Sequence, residues 1–462
     1  GFFPSASVAW RISDEPWMGW SRRALDNAKI RLSAGSMGNG NVSPYSYTSE
    51  MTVSTADDIV LGGSYPSYTS VGSTVPVSLT WEKSTTYDVG LDLDFFNNRL
   101  SVSGDYYRRY TTDMYTASVA LPAVYGTGSP KGNNAEMKTD GWELSLSWRD
   151  SFKLGGKPFD YSIKAMVWDS KSVITKYVND TGSLGTVKGF IENGGSPSSY
   201  YVGMTVGEIW GYTVAGLFRD QADIDSSAIH DFVQASDKVT RPGQVKIADL
   251  DGNGFIDPGN FAVDDHGDLR IIGNQSPRYR YGVNLSARWN GIGLSVFLQG
   301  VGARDWYPGS DAGMFWGKYG RPFFALIPSI HNYTDDMYSA ERNNWDTAYW
   351  PRMTTYQSNG TKNWTRLLEI PNTRYIQSAA YLRVKNIQLD YSFPKHICSA
   401  IRLQGLKIYV NAENLFTFTP LHKYAPNFDP EGLSYDSDFA SAADGYTYPI
   451  LKSVTVGVNI TF

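Results

Sequence analysis

Apolar and polar residues alternate without interruption from Ser453 to Phe462. Val454, Val456, Val458 and Ile460 fall on one side, and Thr455, Gly457, Asn459 and Thr461 on the other. Successive side chains of an extended chain lie on opposite faces, so this stretch is an amphipathic strand. The same period of two recurs along the chain. It is clean in Ser5–Ile12, Ala28–Ala34, Val89–Phe95, Leu100–Tyr106, Trp142–Trp148, Tyr161–Val167, Tyr281–Trp289, Ile292–Leu298, Tyr381–Phe393 and Leu406–Asn414. Two pairs read as hairpins, turning at Asn97-Asn98 and at Asn290-Gly291. Asn-Gly tolerates the positive φ of a type I′ turn, which makes it a strong hairpin signal. Between Val384 and Ile387 the apolar phase slips, which predicts a bulge.

The connections between these strands alternate in length. Asn97-Asn98, Asp150–Pro158, Asn290-Gly291 and Pro394–Gln404 are short, whereas about 35–86, 114–136, 171–277, 302–378 and 419–448 are long. One-sided long loops are the rhythm of an outer-membrane barrel, with short turns on the periplasmic side and long loops outside. The strand count is about 11, or about 13 if 171–277 adds a crossing pair; an odd count that begins and ends with inward strands fits part of a larger barrel. The competing architecture is a soluble β-sandwich, which also alternates but predicts neither the loop asymmetry nor the aromatic strand ends Tyr106, Tyr107, Trp142, Trp148, Trp168 and Trp289.

Composition supports the barrel. The 462 residues hold 31 Tyr and 14 Trp, which suit interfaces that are half wet and half apolar. No apolar stretch reaches the length of a transmembrane helix, yet barrel strands need only about 9–11 alternating residues. The net charge of −5, with mixed signs, argues against a nucleic-acid partner. The single cysteine, Cys398, permits no intrachain disulfide and has no catalytic constellation around it.

Several stretches resemble the SusC/RagA family of TonB-dependent outer-membrane transporters. They are Phe3–Ser13, Leu79–Lys83, Gly90–Asp92 leading to Phe96–Leu100, Asp105–Tyr107 with Thr112-Asp113, Gly141–Leu144, Asp249–Asp257, Tyr381–Ile387, Asn411–Thr417 and the final strand. The resemblance implies an all-β fold, a transmembrane antiparallel β-barrel of which these residues are about the second half of a 22-strand plugged barrel. It implies location in the bacterial outer membrane and active import of nutrient oligosaccharides or peptides. It also implies a SusD-like surface lipoprotein lid, an N-terminal plug and barrel half that this stretch does not include, the TonB complex acting through that part, and a lipid bilayer around the wall. The N-terminal part is expected to be needed for stability, because unpaired strand edges are not tolerated in lipid. A passive porin-like channel and a surface glycan-binding lectin or adhesin are the alternatives.

Two regions carry candidate chemistry. Asp249, Asp251, Asn253 and Asp257, with Gly254, have the spacing of the first part of an EF-hand loop and suit Ca²⁺. The twelfth position is Asn260 rather than Glu, so Asp264, Asp265 or Asp268 would have to complete the shell. The other reading is a turn satisfied by its own backbone. The second region is the aromatic stretch 304–375. Trp306, Tyr307, Trp316, Tyr319, Trp345, Trp350 and Trp364 are candidates to face a substrate or lid, or else to pack the loop onto itself. Asp429, Glu431, Asp436 and Asp438 mark a further external loop. No catalytic residues and no organic cofactor are expected: the five histidines are scattered, and no nucleophile elbow is present. An outer-membrane protease or lipase is only a weak runner-up.

Overall fold

The computed structural model describes all residues except 22, 41–47, 49–50, 73–78, 119–123, 125–130, 187–196, 231–239, 309–314, 316–335, 353–370 and 434–449. Eleven strands form one antiparallel sheet in strict chain order. They are β1 (Ser5–Arg11), β2 (Leu25–Asn39), β3 (Glu82–Phe95), β4 (Leu100–Ala117), β5 (Lys131–Leu154) and β6 (Lys157–Lys176). After a long excursion come β7 (Arg278–Trp289), β8 (Ile292–Ala303), β9 (Tyr381–Ser392), β10 (Gly405–Phe418) and β11 (Ser453–Thr461). The strands run well past the alternating cores, into 35–39, 114–117, 131–136 and 171–176, which the pattern assigned to loops. Among the described residues, the region 171–277 adds no crossing pair. Its strands form two separate two-stranded ladders, Glu208–Tyr212 with Leu269–Asn274 and Val214–Leu217 with Val245–Ile247. The loop after β2 carries its own hairpin, Met51–Thr55 with Ser67–Val71.

Local chemistry explains the turns. Asn290 and Gly291 both take positive φ, 49° and 87°, as a type I′ turn requires, and close the β7–β8 hairpin. The predicted phase slip is a bulge: β9 shifts register against β10 between Val384 and Asn386. β1 and β11 each pair on one side only among the described residues, so they do not join each other.

The sheet is inside out relative to a soluble protein. Cross-strand rows place Val89, Tyr106 and Trp142 on one face, and Leu285, Val296, Ile387, Ala412 and Val454 on that same face. Val89, Leu91, Leu294, Leu389, Val456 and Val458 are exposed there. The opposite face is polar and internally paired. Arg31 donates to Asp92 from Nε and Nη2 (2.8 and 3.1 Å) and reaches Asp105, while Ser101 and Ser103 donate to Asp94 and Asp92. The largest fully buried side chains, led by Trp306, Trp350, Tyr212, Tyr307 and Tyr375, all lie outside the eleven strands. The apolar core therefore sits in the long loops of one rim, not under the sheet.

Candidate functional site

The long loops that follow β6, β8 and β10 pack into one cap. Its core joins Leu184, Trp210, Tyr212, Leu217 and Leu269 from the first loop to Trp306, Phe315, Trp350 and Tyr375 from the second, and to Leu421, Phe428 and Leu433 from the third. Ring pairs join the second and third loops. Trp306 lies 4.9 Å from Phe428 and 6.1 Å from Phe315, Trp350 stacks on Tyr375 at 5.8 Å, and Tyr349 stacks on Tyr424 at 3.6 Å. Some polar tips are tied down: Asn372 Nδ2 donates to Tyr307 Oη (2.9 Å), Tyr375 Oη to the Tyr349 carbonyl (3.1 Å) and Gln377 Nε2 to Tyr349 Oη (2.9 Å), whereas Trp210 Nε1, Tyr212 Oη and Trp306 Nε1 are buried without a hydrogen-bond partner among the described residues. Burial pushes the Tyr375 and Tyr349 hydroxyls well above the usual tyrosine range.

Of the aromatic candidates, Trp306 and Tyr307 are 0 % exposed and Trp350 is 1 % exposed, so their faces are taken up by the cap's own packing. Trp345 is half-buried against the same core. Trp316, Tyr319 and Trp364 lie outside the described residues, as do Asp436 and Asp438.

A group of charges fastens the third loop to the polar face of the wall. Arg383, on β9 and 3 % exposed as a side chain, donates to Thr417 Oγ1 (3.0 Å), to Glu431 Oε2 (2.7 Å) and to Asp429 Oδ1. Lys385 Nζ reaches both Glu431 oxygens at 3.0 and 3.1 Å. Arg304, just beyond β8, donates to the Pro430 and Leu433 carbonyls. Burial opposes ionisation of Asp429, but hydrogen bonds from Arg383 and the Glu431 amide outweigh it and hold its pKa below the usual carboxylate range. The sequence named Asp429 and Glu431 only as loop acids. Arg383 stood there only within the stretch Tyr381–Ile387, and its partners lie 46 and 48 residues away.

The acidic loop is resolved in detail. Oxygens of Asp249, Asp251 and Asp268 lie within 4.8 Å of one another. Two oxygens on a single Ca²⁺, each at about 2.4 Å, span no more than this, so the donor set fits a hard cation. Asp268 thus joins the predicted Asp249 and Asp251. Asn253 and Asp257 take other roles: Asn253 Oδ1 accepts from the Phe255 amide (2.7 Å), and Asp257 Oδ1 from the Gly259 amide (2.7 Å). The three clustered carboxylates are also satisfied locally. Asp249 accepts from the Gly252 and Gly254 amides, Asp251 from Asn253, and the fully buried Asp268 from the Leu250 and Asp257 amides at 2.6 and 3.2 Å. Amide hydrogen bonds, first that from Gly254, hold Asp249 below the usual carboxylate range. Burial, with Asp251 and Asp249 nearby, pushes Asp268 above it.

His230 is structural. Its Nδ1 donates to the Ala228 carbonyl (2.8 Å) and its Nε2 accepts from the Ile247 amide (3.0 Å), which fixes one neutral tautomer. Burial lowers its pKa. Cys398 is buried near the Phe393 carbonyl, in the short helix Lys395–Ala400 between β9 and β10.

Residues 1–264 match the family described as TonB dependent receptor-like, beta-barrel. Over its whole length the chain is 26% identical to TonB-dependent receptor P3 of Formosa agariphila and 24% identical to TonB-dependent receptor SusC of Bacteroides thetaiotaomicron, and covers 42% and 40% of those proteins. It thus spans about two-fifths of the curated relatives it matches. All of it superposes on the RagAB peptide transporter, with a TM-score of 0.67, 19% identity and 43% of that chain covered. The apolar-out sheet, its chain-order topology and the match over residues 1–264 agree: the chain belongs to the TonB-dependent receptor-like β-barrel family.

Proposed function

We propose that this chain is the C-terminal half of the barrel wall of a SusC-like, TonB-dependent outer-membrane importer, with its apolar face in lipid and its polar face lining the lumen. The observation that carries this reading is the inverted sheet. One face leaves Leu294, Leu389, Val456 and Val458 exposed while the other pairs Arg31 with Asp92 and Asp105, and the large apolar core among the described residues lies in the rim loops. Such a face is stable in hydrocarbon and a liability in water. The loops after β2, β4, β6, β8 and β10 are then external, and the cap forms the roof of the wall on which a SusD-like lipoprotein closes over an oligosaccharide or peptide. The name of the RagAB peptide transporter favours a peptide cargo, and that of SusC supports the family but names no cargo. In this reading Trp306, Tyr307 and Trp350 build the roof rather than grip cargo, and Asp249, Asp251 and Asp268 are the candidate ligands of a Ca²⁺ that would stiffen one of its loops.

The test is uptake by cells that express the full-length protein. Labelled oligosaccharides and peptides should enter only while the inner membrane is energised, and a surface lipoprotein should co-purify with the detergent-extracted protein. Uptake that persists after an uncoupler would replace this reading with a passive channel. Recovery of the full-length protein in the detergent-free soluble fraction would replace it with a secreted binding protein.

A further inference from the structure

The apolar face ends abruptly on β4, β5 and β6. Tyr106 on β4 stands directly opposite Trp142 on β5, and two residues further toward the rim of long loops the face becomes charged. There Arg108, Asp140 and Lys171 form one cross-strand row, and Lys138 lies one step beyond Asp140 on the same face of β5. Asp140 is held between two cations, with Arg108 Nε at 2.5 Å from one oxygen and Lys138 Nζ at 3.3 Å from the other. Lys171 is exposed and has no ion-pair partner among the described residues. Two cations therefore share one carboxylate, and Lys171 stands beside them in the same row without one. The neighbouring Arg278 adds no free charge, because its guanidinium forks onto Asp169 at 2.6 and 2.5 Å. Tyr106 Oη also donates to Asp140 (3.3 Å), which ties the aromatic end of the face to the charged row.

A groove of about 580 Å³ runs along the apolar face beside this row, lined by Val8, Leu32, Ala34, Val89, Tyr106 and Arg108. Arg108 is its one cationic lining residue and Asp88 its one anionic one. An apolar channel that ends at an aromatic edge with surplus positive charge matches an amphiphile of one kind, an acyl chain beneath an anionic headgroup.

We propose that Arg108, Lys138 and Lys171 form a binding site for the phosphorylated headgroup of an outer-leaflet lipid, with an acyl chain in the adjoining groove. The proposal rests on the lipid-facing reading of the apolar face. Asp140 sets the geometry: it spaces Arg108 and Lys138 so that a phosphate can bridge them and Lys171, and it keeps the cations from repelling one another when no lipid is bound. Each cation near an anionic membrane surface contributes about a fivefold gain in affinity.

The test uses the full-length protein in detergent micelles, titrated with a bisphosphorylated lipid A and followed by native mass spectrometry. R108Q, K138Q and K171Q should each weaken binding about fivefold, and the triple variant about a hundredfold. The charge-preserving set R108K, K138R and K171R should retain most of the affinity, and heat-modifiable migration of every variant shows that the barrel has folded. The same lipid after removal of its phosphates should bind no better than it does to the triple glutamine variant. Undiminished binding by that variant, or equal binding of dephosphorylated lipid, overturns the proposal. Displacement of the lipid by millimolar inorganic phosphate overturns it in favour of a small-anion site. A protein that needs no detergent to stay in solution would instead defeat the membrane reading itself.

Discussion

Arg383 offers the sharpest test of how the cap is held to the wall. Replacing it with Met keeps the aliphatic bulk beside Tyr381 and removes the guanidinium that serves Asp429, Glu431 and Thr417 together. Removing one partner of a buried pair costs about 3–5 kcal/mol, because the other charge stays behind unpaired. Here the lower end applies. Glu431 keeps Lys385, and Asp429 keeps the amides of Glu431 and Ile450. A loss of about 3 kcal/mol corresponds to about a hundredfold increase in local opening. Hydrogen exchange of the full-length protein should register it at the amides of Ala425, Phe428 and Gly432, which bond within the fastened segment. Lys385→Met should cost under about 1 kcal/mol, since that ammonium is more exposed and Arg383 still holds Glu431. The wild-type segment should also respond to acid. The folded-state pKa of Asp429 lies below its unfolded value, so its contribution is complete above about pH 4 and is lost as the pH falls through the folded value. Cleavage between Leu421 and Leu433 by pepsin should therefore be slow at pH 4.5 and accelerate below about pH 4. Unchanged exchange in Arg383→Met would refute the idea that this group fastens the loop.

Three further outcomes follow from the same geometry. Leu389→Arg, on the exposed apolar face, should destabilise the full-length protein in lipid vesicles by about 2–4 kcal/mol, whereas Gln388→Arg, its polar-face neighbour, should cost close to nothing; urea midpoints would separate them. Ca²⁺ should slow proteolysis within Asp249–Asp268 and Asp251→Asn should abolish that protection, with about 2.7 kcal/mol of stabilisation at a hundredfold excess over Kd; no response to Ca²⁺ or to a chelator would mean that the loop stands on its amide hydrogen bonds alone. His230 is held neutral, so its contribution to the cap is complete above about pH 6.5 and is lost as the pH falls below that toward its lowered folded value, a step in tryptophan fluorescence that His230→Gln should remove.

The wall was legible because its signal is local. A period of two needs only neighbouring residues, and the turn at Asn290-Gly291 needs only two. Legibility stopped where alternation stopped. β5 runs from Lys131 to Leu154, but above Gly141 the face that carries Trp142 turns to Asp140, Lys138 and Glu136 while the opposite face passes from Thr139 to Met137 and Ala135, so the alternation seen below is lost and the ladder continues on backbone hydrogen bonds. The cap was hidden for a different reason. Its decisive pairs are Trp306 with Phe428, Tyr349 with Tyr424 and Arg383 with Asp429, each joining different loops or a strand to a distant loop. Aromatic density marked the region, but a tryptophan that binds a sugar and one that cores a loop look alike in sequence. The acidic motif fell in between. Its spacing located Asp249 and Asp251, while the third carboxylate, Asp268, came from beyond the motif and was only one of three alternatives.

The wall and the cap are built for different solvents, and this constrains where specificity can reside. The wall leaves its apolar side chains exposed on one face, and in the proposed membrane setting hydrocarbon supplies what a core supplies elsewhere. The cap buries Trp306, Tyr307, Trp350 and Tyr375 completely and is an ordinary water-facing core raised on strand ends. A ring already stacked on another ring cannot also stack on cargo without dismantling the roof. Truncating Trp306 would therefore act on cargo through loss of the cap's fold, at a cost of about 3–5 kcal/mol, rather than through a lost contact. In the proposed importer, recognition by the described part of the roof falls instead to groups at its surface, such as the half-buried Trp345, and to the polar face below it. On that face Arg383 and Lys385 are already committed to Asp429 and Glu431, so on the proposed reading the same charges that hold the loop down also limit how strongly the upper lumen would attract an ionic cargo.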